Sequence, residues 1–218
     1  MSEINHCIYV IDSDPRMRGH VLRLLAAYAM SAVAFDEVDA FLAEARPDLP
    51  GCLILGSCSP APCELSARCQ QTNLSCPPII YITRGTDVLS AVRVMRAGAV
   101  DVLTRPVSKD ALLAAVHAGL SRDREDRFLQ QELQVLRQRQ MRLTSREVQV
   151  FELVVEGKLN KQSAWELGIS QSTLQAHRGR LMHKMKARSL ADLVRMASML
   201  GLTHWGVDVR SMMTRSAQ

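Results

Sequence analysis

Short apolar runs alternate with amphipathic stretches through the first half of the chain. The runs are Cys7–Ile11, a weaker Ala32–Phe35, Cys52–Leu55, Ile79–Ile82 and Val100–Leu103. Each has strand length and is mostly apolar or β-branched, as expected of strands covered on both faces. Between them lie stretches of helical spacing. Arg16–Tyr28 sets Met17, Val21, Leu24 and Leu25 on one face, and Asp14-Pro15 supplies its cap and first-turn residue. Val38–Ala45, Leu65–Gln71, Val88–Ala97 and Ala111–Leu120 follow the same logic. Five strands alternating with five helices predict a doubly wound α/β domain with five parallel strands, over residues 5–120.

The pattern then changes twice. Residues 121–142 are highly charged and contain neither Pro nor Gly, while Leu129, Leu136 and Leu143 recur every seven residues with Leu133 beside them. This predicts a helical linker, either a short coiled-coil seam or a solvated helix lying on its own domain. Over 143–205 the periodicity is helical throughout, predicting an all-α bundle followed by a tail at 206–218. Thr144 and Glu147 have the spacing of a capping box, Val148, Phe151, Leu153, Val154 and Val155 form an apolar face, and Gly157 stops that helix. "NKQSAWELGIS" predicts a short helix and a turn at Gly168. Residues 171–186 predict a longer basic helix with Leu174, Leu181 and Met185 inward. A short helix, a tight turn and a basic second helix make a helix-turn-helix.

Charge sharpens this reading. The 218-residue chain has a formal charge of +5. Basic residues dominate between Arg137 and Arg188, pointing to an anionic partner, with double-stranded DNA the first candidate and a solvated basic face the alternative. No apolar run is long enough to span a bilayer, and the N-terminus lacks the basic and apolar regions of a signal peptide. A cytoplasmic protein without membrane association is expected. Of six cysteines, Cys7 and Cys52 fall in apolar strands, whereas Cys58, Cys63, Cys69 and Cys76 crowd one segment without the tight pairs of zinc sites. No metal or cofactor is expected from them, and ordinary packing stands beside a redox role.

From Leu143 to Ala197 the sequence resembles the LuxR-type helix-turn-helix domain of bacterial transcription regulators. Leu143-Thr144, Arg146-Glu147, Gly157, Asn160-Lys161, Leu167, Ile169-Ser170, Thr173, His177-Arg178, Met182, Lys184 and Leu193 match its marker positions. The resemblance implies a recognition helix at 171–186 lying in the major groove, and a homodimer on paired half-sites. By the same resemblance Gln175, Ala176 and Gly179 face the groove and read bases. Thr173, Arg178, Arg180 and Lys184 are the phosphate candidates.

Residues 5–120 resemble a response-regulator receiver of the NarL/FixJ group. Such a receiver holds Mg²⁺ on two adjacent acids after its first strand and phosphorylates an aspartate ending its third. A Ser or Thr follows the fourth strand, and Lys-Pro the fifth. Here Asp12 matches the first acid, Ser13 replaces the second, and Asp14 follows. In "CLILGSCSP" Gly56 stands where the aspartate belongs, and Ser57 lacks a base to make it a nucleophile. Thr83 matches the switch hydroxyl, Arg105 replaces the lysine, and Val102 stands where a switch aromatic is common. A receiver fold without receiver chemistry is expected, with Arg105 paired to Asp12 or Asp14.

The reading is a phosphorylation-independent DNA-binding regulator of a two-component-like system, with a sensor kinase or another regulator as a further partner. It is not an enzyme, for no nucleophile, base and oxyanion-donor set is present. The alternatives are a protein-interaction module and a cysteine-based redox regulator.

Overall fold

The computed structural model describes residues 6–45, 49–56, 61–72, 74–85 and 88–202. Ser57, Cys58 and the 206–218 tail lie outside them. The chain divides into two compact units, Met1–Phe128 and Leu129–Gln218.

In the first unit five strands, β1 (Cys7–Ile11), β2 (Ala32–Phe35), β3 (Gly51–Gly56), β4 (Ile79–Thr83) and β5 (Ala99–Thr104), form one sheet in the order β2-β1-β3-β4-β5. Every neighbouring pair is parallel. The connections are α1 (Pro15–Ala26), α2 (Val38–Glu44), α3 (Pro62–Gln71) and α4 (Val88–Arg96), and α5 starts at Lys109. Strand alternation builds two cores. Ile8, Val10, Cys52, Ile54, Ile80 and Ile82 pack with Val21 and Leu25 of α1 and Leu112 and Val116 of α5. Cys7, Tyr9, Ile11, Leu53 and Leu55 pack on the other face with Phe41 of α2 and Leu65 and Cys69 of α3. Burying each of the larger side chains contributes roughly 2 kcal/mol. The strands read as continuous apolar runs because both of their faces are covered.

The fifth helix differs from expectation. Instead of a helix at 111–120 and a separate linker, α5 is one helix from Lys109 to Gln140. Gly119 does not interrupt it, because that glycine serves packing. A Cβ there would lie 3.0 Å from the Cβ of Cys52 on β3. Lower down, buried Asp123 accepts the Gly51 amide at 2.9 Å and the Arg127 Nε at 2.5 Å, tying α5 to the start of β3.

The second unit holds the end of α5 and α6 (Ser145–Val155), α7 (Asn160–Glu166), α8 (Gln171–Met185) and α9 (Leu190–Met199). Leu136 is buried with Val150, Phe151, Leu174, Leu181, Met185 and Leu193, and Leu143 packs against the same cluster. Two leucines of the seven-residue recurrence, Leu136 and Leu143, therefore serve this unit's own core.

Candidate nucleic-acid interface and receiver pocket

Sheet register assembles the receiver pocket. Ile11 of β1 pairs with Leu55 of β3, so the next residues, Asp12 and Gly56, are neighbours at the carboxyl ends of the strands. β1 and β3 flank the point where strand order reverses, the usual ligand crevice of such sheets. Thr83 pairs with Thr104, which brings Arg105 to the same edge, its amide donating to the Thr83 carbonyl at 3.1 Å.

Asp12 is buried and fully engaged. Its Oδ2 accepts Arg105 Nη2 at 2.6 Å, and its Oδ1 accepts the Asp14 amide at 2.9 Å. Arg18 Nη1 donates to the Asp12 carbonyl at 2.6 Å. Arg105 also reaches Asp14 Oδ2 through Nη1 at 3.4 Å, and so bridges both acids. Asp14 also caps α1, and the Arg16 amide, aided by Arg105, holds its carboxyl below the ordinary value. Ser13 is exposed, and the Thr83 hydroxyl accepts the Gly85 amide at 3.3 Å.

Gly56 is occupied space rather than an empty acceptor position. A Cβ added there would fall 2.7 Å from the Asp12 Cβ and closer still to the carboxylate. The Asp12 side chain lies where the side chain of residue 56 would project. These residues do not fit the Mg²⁺ of a working receiver. Both Asp12 oxygens have donors, one of them a cation, and Gly56 offers no ligand. Among the described residues no group of three His, Cys, Asp or Glu is placed to hold a metal.

The second unit presents the opposite arrangement. Thr144 Oγ1 accepts the Glu147 amide at 3.3 Å and Glu147 Oε2 accepts the Thr144 amide at 2.8 Å, the capping box that starts α6. Ser170 caps α8 by accepting the Thr173 amide at 3.1 Å. Leu174, Leu181 and Met185 face the core, which turns Ser172, Gln175, Ala176, Gly179, Arg180 and His183 to the exposed side. A side chain at Gly179 would meet nothing within 4 Å. Ala176 and Gly179 make the centre of this face flat, with Gln175 on one flank and Thr173 and Arg180 on the other.

The basic candidates divide. Arg180 is exposed, with no side-chain partner among the described residues, and Thr173 is exposed with its hydroxyl 2.8 Å from that of Ser170. Lys184 is instead half-buried, its Nζ 2.6 Å from Oε2 of the buried Glu147. Burial pushes the Glu147 carboxyl up, but the Lys184 and Thr144 hydrogen bonds outweigh it and hold it below its ordinary value. Arg178 donates to Asn160 Oδ1 at 2.8 Å, fastening α8 to the start of α7. Arg178 and Lys184, both expected at phosphates, thus also have acceptors within the protein, Asn160 and Glu147. Sequence spacing missed these partners, 18 and 37 residues away. It also missed Arg139 of α5, whose Nη1 donates to the Met185 carbonyl at 3.1 Å and so caps the end of α8. Ser172 and His183 were missed too, although a helical projection from Leu174 and Leu181 places both outward.

A parallel sheet with its crevice at the carboxyl ends, and a capped helix presenting a flat, basic-flanked face, together define a receiver coupled to a helix-turn-helix. The family described as bacterial regulatory proteins of the luxR family matches residues 141–197. Nodulation protein W of Bradyrhizobium diazoefficiens is 38% identical over 197 residues, covering 90% of this chain and 87% of that protein. The response regulator TodT of Pseudomonas putida is 35% identical over 201 residues, covering 92% and 88%. Among solved structures, the response regulator StyR superposes with a TM-score of 0.68 at 35% identity, covering 89% of this chain and 98% of that one. Full-length FixJ from B. japonicum gives a TM-score of 0.50 at 34% identity, covering 90% and 98%. The chain belongs to the NarL/FixJ family of response regulators, with a receiver followed by a LuxR-type helix-turn-helix domain. It is a DNA-binding transcriptional regulator of the two-component class, not an enzyme. Among the described residues no helix is long and apolar enough to cross a membrane.

Proposed function

We propose that this cytoplasmic regulator binds DNA without phosphorylation of its receiver. The observation that carries the reading is the Asp12 carboxylate lying in the volume of the residue-56 side chain, with Arg105 fixed against it. The guanidinium stands where a divalent cation would otherwise balance the acids, so the pocket's charge is compensated permanently. A sensor kinase or another regulator then acts on this receiver by docking rather than by phosphoryl transfer. The test is intact-mass analysis of the full chain after acetyl phosphate and Mg²⁺. No adduct is expected, and an acyl-phosphate on the receiver overturns the reading.

On the DNA side, α8 enters the major groove with its flat face inward, as a homodimer on paired half-sites. Gln175 reads an adenine edge through its amide, Ala176 meets a thymine methyl, and Gly179 lets the helix backbone approach. Thr173 and Arg180 contact phosphates, while Arg178 and Lys184 hold the helix in place. Titration of specific and random duplexes at several salt concentrations separates these roles. Arg180→Ala is expected to weaken both duplexes alike and to lower the salt slope by about 0.9. Gln175→Ala is expected to lose roughly 1–3 kcal/mol of discrimination. Equal losses of Gln175→Ala on both duplexes would remove it from base reading.

A further inference from the structure

Ser172, on the outward side of α8, has no role in the reading given above. It is exposed and stands on the same line of the helix as Ala176 and Gly179, four and seven residues further on. Those two residues bring no hydrogen-bonding side chain, so Ser172 supplies the first polar atom of that line. It also lies in the first turn of the recognition helix, the end that meets base edges in helix-turn-helix proteins.

The Ser172 hydroxyl is held in a chain. Ser172 Oγ lies 2.8 Å from Ser170 Oγ, and Thr173 Oγ1 lies 2.8 Å from the same atom. Ser170 Oγ also accepts the Thr173 amide at 3.1 Å. A hydroxyl has one proton to give and two lone pairs with which to accept. The amide occupies one lone pair of Ser170. Only one of the two neighbouring hydroxyls can therefore donate to Ser170, and the Ser170 proton goes to the other. Two directions are open to the chain, Ser172 to Ser170 to Thr173 or the reverse.

The phosphate contact proposed above for Thr173, on which this inference rests, selects between them. Phosphate oxygens only accept, so Thr173 gives its proton outward. Thr173 Oγ1 then receives from Ser170, and Ser170 receives from Ser172. Ser172 has turned its proton inward and presents only lone pairs to the groove.

We propose that Ser172 is a specificity-determining residue that accepts a hydrogen bond from an exocyclic amino group, and so selects adenine or cytosine on the strand it faces. In the major groove adenine N6 and cytosine N4 are the donors, whereas guanine O6 and thymine O4 accept. Guanine or thymine at this place sets oxygen against oxygen. The serine that caps α8 thereby also fixes the polarity of the hydroxyl beside it.

The test selects bound sites with the full chain from duplexes of randomised sequence, then titrates the best site and its single-base-pair variants. The parent is expected to restrict one position in each half-site to adenine or cytosine on one strand, apart from the position read by Gln175. Ser172→Ala should remove that restriction alone, a preference of roughly two- to tenfold, and leave random duplex bound as before. Thr173→Val keeps the shape of the side chain, deletes the acceptor of the Ser170 proton and frees that proton for Ser172. It should weaken every duplex and, at the Ser172 position alone, admit guanine and thymine. A Ser172→Ala profile identical to the parent's overturns the proposal. So does the loss of a preference for guanine or thymine, which means that the chain runs the other way. An equal loss on specific and random duplexes also overturns it, for Ser172 is then a backbone contact. Gln175→Ala separates the two failures. If it relaxes its own position while Ser172→Ala changes nothing, this proposal alone falls. If neither variant alters the profile, base reading by α8 falls with it. The Ser172→Ala profile decides the matter even if Thr173→Val fails to fold.

Discussion

The receiver pocket and the recognition helix both use arginines, yet they use them in opposite ways. In the pocket Arg105 is turned inward and bridges Asp12 and Asp14. On α8 Arg180 is turned outward and is left without a protein acceptor among the described residues. A buried charge must find its partner within the protein, because desolvation without one is costly. An exposed charge on a rigid, capped helix costs little and remains available to phosphate. The same residue type therefore marks a closed site in one unit and an open one in the other. Burial and partners decide which, not residue identity.

The largest expected effect tries to reopen the closed site. Gly56→Asp returns the acid that a receiver uses, but its Cβ would meet the Asp12 side chain, 2.7 Å from the Asp12 Cβ. It also adds a third carboxylate around one guanidinium. Overpacking and an inadequately paired buried charge together predict a loss of about 3–5 kcal/mol. Urea unfolding followed by a signal from the first unit measures it. A variant as stable as the parent that also accepts a phosphoryl group would break the contrast between the two sites.

Next in size is a truncation in the second unit. Leu136→Ala removes a buried side chain that α5 contributes to the helix-turn-helix core, for a loss of about 2–4 kcal/mol. The matching family region begins at residue 141, so Leu136 and the α8-capping Arg139 both lie before it. A DNA-binding fragment starting at Leu143 should accordingly be less stable than one starting at Leu129. Equal melting temperatures for the two fragments would show that α5 adds nothing to this core.

These two variants also mark what the sequence could disclose. Strand positions, the helix order and the Thr144–Glu147 box are local patterns, and each was legible from period and spacing. Arg105 was legible as a partner for Asp12 and Asp14 because the receiver resemblance puts it in place of the lysine, opposite the loop after β1 that carries both acids. The seat of the Asp12 carboxylate over Gly56 was not, since it depends on the register of β1 with β3. The continuity of α5 was hidden by the change at residue 121 from an amphipathic stretch to a highly charged one, which reads as a boundary although one helix runs through it. The pairing of Lys184 with Glu147 was not legible either, because the acceptor lies two helices away.

Glu147 gives a smaller and pH-dependent effect. Its carboxyl is held below the ordinary 4.5 in the folded chain. A depressed folded value means that the contribution is present above the unfolded value and is lost as pH falls through the folded one. Glu147→Gln keeps an acceptor for the Thr144 amide but loses the charge facing Lys184. We expect a loss of about 1–2 kcal/mol at neutral pH that shrinks below pH 4.5. Urea midpoints of both proteins from neutral to acid pH provide the check. A difference that persists unchanged in acid would mean that the Glu147–Lys184 charge pair is not its source.

The smallest effect asks whether the open face is truly flat for a reason. Gly179 sits in mid-helix on α8, where glycine costs roughly 0.5–1 kcal/mol relative to alanine through backbone entropy. Nothing within 4 Å would obstruct a Cβ there, so Gly179→Ala should stabilise the protein by about that amount. If the glycine serves only as an unselected surface residue, DNA binding should be unchanged. If the helix backbone approaches the groove at this point, one methyl group should weaken operator binding while the melting temperature rises. The two readouts moving in opposite directions is the expected result, because Ala176 and Gly179 are the outward positions between the Gln175 and Arg180 flanks. A stabilised variant that binds its operator as tightly as the parent would leave Gly179 outside the interface and shift the contact face toward Arg180.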